Sequence, residues 1–144
     1  MNKKVVIGAD HAGFKLKEHL KKFLTNKKYL VLDKGAKTYN PTDDYPDYAK
    51  KVTKEIKQNT QGILICGSAE GICIVANKKK GIRAVPVWTV TNAKLSRQHN
   101  DANILCLSGW QLNKKKAEKI VLTWLTTKFS NEPKHIRRIK KIEK

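Results

Sequence analysis

Four short stretches carry the residue types that can do chemistry. Near the start, GADHAGF sets Asp10 and His11 side by side with a glycine on either flank. Asp10 either caps a helix there or turns its carboxylate to a substrate hydroxyl. His11 is either solvated or faces the same crevice, where an imidazole suits an anion. CGSAEG (66–71) crowds a cysteine, two glycines, a serine and a glutamate into one loop. A cysteine at a strand end, just ahead of a helix N-terminus, is where a thiolate is stabilised. Successive N–H groups of such a turn bind an anion or a developing oxyanion. The competing reading is an inert buried cysteine, with glycines that serve only a tight turn.

SRQHNDAN (96–103) places His99, Asn100 and Asp101 in a row where a helix ends and a strand begins. Such residues serve as caps, or the imidazole serves as an acid–base group near neutral pH. The tail KHIRRIKK carries Lys134, Arg137, Arg138 and Lys141. Lys134, Arg138 and Lys141 are four and three residues apart and so share a helix face. Two cations beside a crevice suit one phosphate group. A nucleic-acid contact or a solvated basic tail fits the same residues.

Something must position these groups, and the chain alternates short β-branched runs with longer amphipathic ones. Strands are predicted over 3–10, 29–35, 62–66, 81–88 and 102–109. Helices are predicted over 14–24, 45–58, 70–78, 91–100 and 114–129, with a last one over 133–144 opened by Pro133. Near-continuous apolar strands separated by helices predict an α/β, Rossmann-like fold. It has a five-stranded parallel sheet, helices on both faces and a C-terminal helix. No linker or repeat divides residues 1–144, which read as one domain. In such sheets the ligand crevice lies beyond the carboxyl ends of the strands. Gly8–His11, Cys66–Ser68 and Ser108–Trp110 fall at those ends.

The 31 basic and 12 acidic residues leave a net charge of +19. Such a field attracts polyanions and small phosphorylated ligands alike. Many of the lysines fall on helix surfaces, so charge alone does not choose a partner. No apolar run approaches the roughly 18 residues of a membrane span. The start MNKKVVIGAD is a poor signal peptide, so a cytoplasmic protein is expected. Cys66, Cys73 and Cys106 are odd in number and form no CxxC pair, which fits reduced thiols and no zinc site.

Taken together, IGADHAGFKLK (7–17), DYPDYA (44–49), GILICGSAEG (62–71), ANKKKGIRA (76–84), LSRQHNDANIL (95–105) and KHIRRIKKIE (134–143) resemble ribose-5-phosphate isomerase B. That family sits in the group that also holds the galactose-6-phosphate isomerase subunits. The blocks run in the family's order and cover essentially the whole chain. The resemblance implies an aldose–ketose isomerase without metal or cofactor, acting on a sugar phosphate. It also implies a homodimer with active sites shared between subunits, and gives no role to membrane or nucleic acid. Cys66 would move a proton between C1 and C2 through a cis-enediolate. Amides from Gly67 to Gly71 would hold the enediolate oxygen, with Ser68 in the place of a threonine or serine. His99 would help open the furanose ring and Asp10 would assist at a ring or hydroxyl oxygen. Tyr45 and Asn100 match substrate contacts, and His11, Lys134 and Arg138 match phosphate contacts.

The chain departs from the family at four positions. Ala69 stands for a glycine and Glu70 for a usually uncharged residue. Trp110 stands for a phosphate-binding arginine, and Lys134 for another, which keeps charge but loses the bidentate fork. If the family turn needs φ > 0 at the glycine, Ala69 must bear strain. Glu70 is expected to point away from the crevice, favoured by the helix dipole. The expected activity is interconversion of ribose 5-phosphate and ribulose 5-phosphate. Its rivals are an isomerase of another sugar phosphate, such as allose 6-phosphate, and a phosphosugar- or nucleic-acid-binding module without catalysis.

Overall fold

The computed structural model describes residues 3–144. Its elements in chain order are β1 (Lys4–Ala9), a 3-10 turn (His11–Gly13), α1 (Phe14–Asn26), β2 (Leu30–Asp33), α2 (Tyr45–Glu55) and β3 (Thr60–Cys66). They continue with α3 (Glu70–Asn77), β4 (Ala84–Pro86), α4 (Val90–Asn100), β5 (Ile104–Ser108), α5 (Lys114–Thr126) and α6 (Pro133–Ile142). The five strands are all parallel, in the order β2-β1-β3-β5-β4. The expected α/β architecture is therefore present, C-terminal helix included.

Successive residues of the central strands, such as Val5–Ile7 and Ile63–Ile65, have no exposed surface. That is possible only where both faces of a sheet are covered. On one face Leu16, Leu20 and Leu24 of α1 join Ala93 of α4 and Ile120, Val121 and Trp124 of α5. On the other, Ala49 and Val52 of α2 join Ile72, Cys73 and Ala76 of α3. The chain leaves β1 into α1 and leaves the adjacent β3 into α3, on opposite faces. Beyond the carboxyl ends of these two neighbours lies the switch-point crevice of an open parallel sheet.

Several element ends differ from the expected ones. Of the run 81–88, only Ala84–Pro86 pairs with β5, at the sheet edge. Gly81 adopts φ 84° and the Arg83 N–H donates to Asn103 Oδ1 at 2.8 Å, so the approach to β4 is a loop. Helix α2 ends at Glu55 rather than 58, because Ile56 turns extended and Asn59 takes φ 66° to lead into β3. Helix α5 stops at Thr126, where Thr127 becomes extended. The turn His11–Gly13 is tighter than an α-helix because Asp10 ties down its first amides.

Candidate active site

The crevice begins where β1 ends. Asp10 is 5% exposed, and its carboxylate accepts from the Ala12 N–H at 3.0 Å and the Gly13 N–H at 3.2 Å. The capping reading of Asp10 therefore holds, at a position that also borders the crevice. Burial pushes its carboxyl above the usual value, with the backbone bonds working against that. The Asp10 N–H donates to Ile65 O at 3.3 Å, which stitches the turn to β3.

His11 is not simply solvated. Its ring Nδ1 lies 2.8 Å from Asp43 Oδ1, and its backbone N–H donates to the same oxygen at 2.9 Å. The bond to Asp43 raises the imidazole's pKa above its ordinary value. Asp43 arrives on the loop between β2 and α2 and also accepts from the Tyr48 hydroxyl at 3.0 Å. Burial alone would raise the Asp43 carboxyl, but the bonds from His11 and Tyr48 hold it below the usual range. Tyr48, half-buried against this carboxylate, is pushed up to about 12. Oxygens and nitrogens of Asp10, His11 and Asp43 lie within 4.8 Å of one another. Since His11 Nδ1 and Asp43 Oδ1 already bond each other, the trio reads as a hydrogen-bonded anchor rather than a cation's ligand set.

At the end of β3, Cys66 is 4% exposed and leads directly into the loop 67–69. This loop is stapled to the end of β5. The Gly109 N–H donates to Cys66 O at 2.8 Å, the Trp110 N–H to Gly67 O at 3.2 Å, and the Ser108 hydroxyl to Gly67 O at 2.6 Å. Ser68 Oγ accepts from the Glu70 N–H at 3.3 Å. Among the described residues, the amides of Gly67, Ser68 and Ala69 have no acceptor within the protein. They precede the N-terminus of α3, an arrangement that favours negative charge.

Two aromatic rings bracket the loop. A Cβ on Gly67 would stand 2.4 Å from Cε2 and Cζ2 of Trp110, and one on Gly71 would stand 2.7 Å from Cζ of Tyr45. Only glycine lets the rings approach so closely. Both rings are exposed, Trp110 at 74% and Tyr45 at 38%. Ala69 adopts φ 71° and ψ −16° and is fully buried, so the strain expected of this substitution is present. Glu70 is exposed at the first position of α3 and pairs with no cation among the described residues.

Seven of the residues singled out from sequence thus gather at one place: Asp10, His11, Tyr45, Cys66, Gly67, Ser68 and Gly71. Four do not. Helix α4 runs back along the sheet, and its last turn carries His99 and Asn100 to the amino ends of the strands. Arg83, just ahead of β4, donates from Nε to Asn100 O at 2.9 Å. Helix α6 packs on α4, with the His99 and His135 rings 4.4 Å apart. Lys134 and Arg138 are exposed on it, and Lys134 pairs with Glu132 at 3.2 Å. The length of β3 separates these groups from Cys66, roughly 20 Å for a strand of this size.

Asp43 and Tyr48 were not singled out from sequence. Both lie at or beside the DYPDYA block, but nothing local reveals that an acid 32 residues away would meet His11.

A family model described as Ribose/Galactose Isomerase matches residues 5–142. A curated relative from Mycoplasma pneumoniae, named probable ribose-5-phosphate isomerase B, is 42% identical over 99% of this chain and 94% of its own. A solved ribose 5-phosphate isomerase from Thermotoga maritima is 43% identical, with a TM-score of 0.94 and 99% of both chains covered. A Mycoplasma genitalium ribose-5-phosphate isomerase B, solved with bound ribulose-5-phosphate, is 39% identical with a TM-score of 0.93, covering 97% of this chain and 93% of its own. On a match that spans almost the whole chain, this protein belongs to the ribose/galactose isomerase family.

Proposed function

We propose that this protein interconverts ribose 5-phosphate and ribulose 5-phosphate through a cis-enediolate. The observation that carries the reading is Cys66 leading straight into three uncommitted amides at the switch point of the sheet. An enediolate needs a base at the carbon, a fixed site for its oxygen and an anchor for the remote phosphate. The Cys66 thiolate removes the C2 proton of the open-chain aldose, and the electron pair moves through the C1–C2 bond onto the carbonyl oxygen. The amides of Gly67, Ser68 and Ala69 hold that oxygen. The proton then returns to C1, while the hydroxyl proton on O2 passes to O1 and leaves the ketose. Asp10 assists at a ring or hydroxyl oxygen, Tyr45 contacts the sugar and His11 takes the phosphate.

His99, which opens the furanose ring, lies too far from Cys66 to serve the same chain's crevice. A homodimer answers this, with a second copy supplying His99, Asn100, Lys134 and Arg138. The relative solved with ribulose-5-phosphate supports the substrate class. No helix among the described residues is long and apolar enough to cross a membrane, which accords with a cytoplasmic enzyme. A second reading is an isomerase of another sugar phosphate such as allose 6-phosphate, with Trp110, whose exposed ring packs against Gly67, and Lys134 reshaping the phosphate end.

The test is a ketose-formation assay over pentose and hexose phosphates. Cys66→Ala is expected to lose more than about a hundredfold in kcat, the scale of a missing carbon base. Activity untouched in Cys66→Ala would refute the mechanism. Mixing Cys66→Ala with His99→Asn subunits tests the shared site. Random exchange makes half the dimers mixed, each with one intact site, so about a quarter of the activity returns. No recovery after verified exchange would refute a shared site.

A further inference from the structure

Asp43 poses a problem that the proposed reaction leaves open. It is an acid next to a residue assigned to an anion, and its side chain is only 5% exposed although it comes from a surface loop. Its two oxygens accept three bonds, from the His11 N–H and Nδ1 on Oδ1 and from the Tyr48 hydroxyl on Oδ2. An ionised carboxylate only accepts, so the His11 Nδ1 must carry the proton in that bond. Nε2 is the ring atom left over, and it has no partner in the protein among the described residues. Tyr39 stands edge-on to the imidazole, with centroids 6.5 Å apart, and edge-on to Phe14 at 6.2 Å. The ring is thus held on two sides and remains 36% exposed on the rest.

The loop that delivers Asp43 is itself anchored. Lys17, fully buried, donates to Asp33 Oδ2 at 2.7 Å and to Ala36 O at 2.8 Å, and the Gly35 N–H donates to Asp33 Oδ1 at 2.8 Å. The titratable groups around His11 are Asp43, Asp10, Tyr48 with Asp47 behind it, and Tyr39. Both nearby carboxylates act to keep the ring protonated.

We propose that Asp43 is the positioning residue for His11, fixing the ring so that Nε2–H is the donor offered to the substrate's phosphate. The inference rests on the reading of His11 as the phosphate contact. Because Asp43 lies behind the imidazole, an incoming anion meets Nε2–H rather than the carboxylate. A charge-assisted bond from an oriented imidazolium is stronger than one from a neutral, rotating ring.

Asp43→Asn keeps the shape and the acceptor but removes the charge. For the variant, KM for ribose 5-phosphate is expected to rise about three- to tenfold at pH 7.5, with kcat changed less than about twofold. The ratio of variant to wild-type KM should fall on acidification, once His11 is protonated in both. The substrate's own phosphate titrates alike in both and cancels from the ratio. Independently of turnover, proton NMR of the His11 ring, assigned with His11→Gln, should give a lower midpoint in Asp43→Asn than in wild type. Tyr48→Phe, which leaves the His11–Asp43 bond in place, should move KM and midpoint much less than Asp43→Asn.

A folded Asp43→Asn with an unmoved His11 midpoint, or with unchanged KM at every pH, would overturn the proposal. A wild type inactive on every sugar phosphate but showing the midpoint shift would refute the isomerase reading and leave the Asp43–His11 pairing standing.

Discussion

Ala69→Gly offers a direct measure of the strain stored beside the candidate base. Ala69 holds φ 71° and ψ −16° with no exposed surface, at the N-cap of α3. A left-handed conformation costs an L-residue roughly 1–2 kcal/mol, and glycine removes that cost. Against this, glycine adds about 0.4–1 kcal/mol of unfolded-chain entropy. The lost burial of one methyl group costs about 0.8 kcal/mol more. The opposing contributions nearly cancel, so Ala69→Gly is expected to change stability by less than about 1 kcal/mol. Ala93, equally buried but inside α4, supplies the reference. There glycine relieves nothing, and helix propensity plus the lost methyl predict a loss of roughly 1.3–1.8 kcal/mol. Urea unfolding of both variants at one fixed protein concentration reads the difference, since an associating chain's stability depends on concentration. The gap between them should be about 1–2 kcal/mol, the strain itself. Equal losses in the two variants would show that the positive φ at Ala69 stores no such energy.

Two further outcomes test other parts of the structure. Glu70→Gln should lower ribose 5-phosphate isomerisation less than about tenfold, because the exposed carboxylate contributes through the helix dipole and little else; a near-complete loss would place it in the chemistry. Asp33→Asn should cost about 3 kcal/mol at neutral pH, since it strips the main partner from the buried Lys17. Burial works to raise the Asp33 carboxyl, but its bonds from Lys17, Lys21 and the Gly35 N–H hold it below the ordinary value of 3.8. Its contribution is therefore complete above that value and is lost as pH falls through the folded-state pKa. Urea unfolding of both proteins on acidification should show the gap narrowing below pH 3.8; a gap independent of pH would assign the loss to packing.

Much of the fold was legible because it is written in neighbouring residues. Runs such as VVI and ILI are short, β-branched and apolar on consecutive positions, the pattern of a strand covered on both faces. The loop 66–71 was legible as well, since a cysteine and glycines between strand and helix constrain the backbone locally. Element ends were less so: the run 81–88 looks uniformly strand-like, yet as the sheet edge it has one neighbour and pairs over three residues.

The alternation of elements and the carboxyl-edge location of Asp10, His11 and Cys66 are written in the chain itself, whereas strain at Ala69 followed only on the condition that the family's turn holds φ > 0, which the structure supplies at 71°. Tertiary structure alone decided the strand order β2-β1-β3-β5-β4, which sets β1 beside β3 and opens the crevice between them. It also decided that Asp43 meets His11, and that His99 and Arg138 lie a strand's length from Cys66. The physical reason is the range of the interactions involved. Periodicity, caps and backbone dihedrals act over a few residues, whereas these placements depend on how the helices pack across two faces of a sheet.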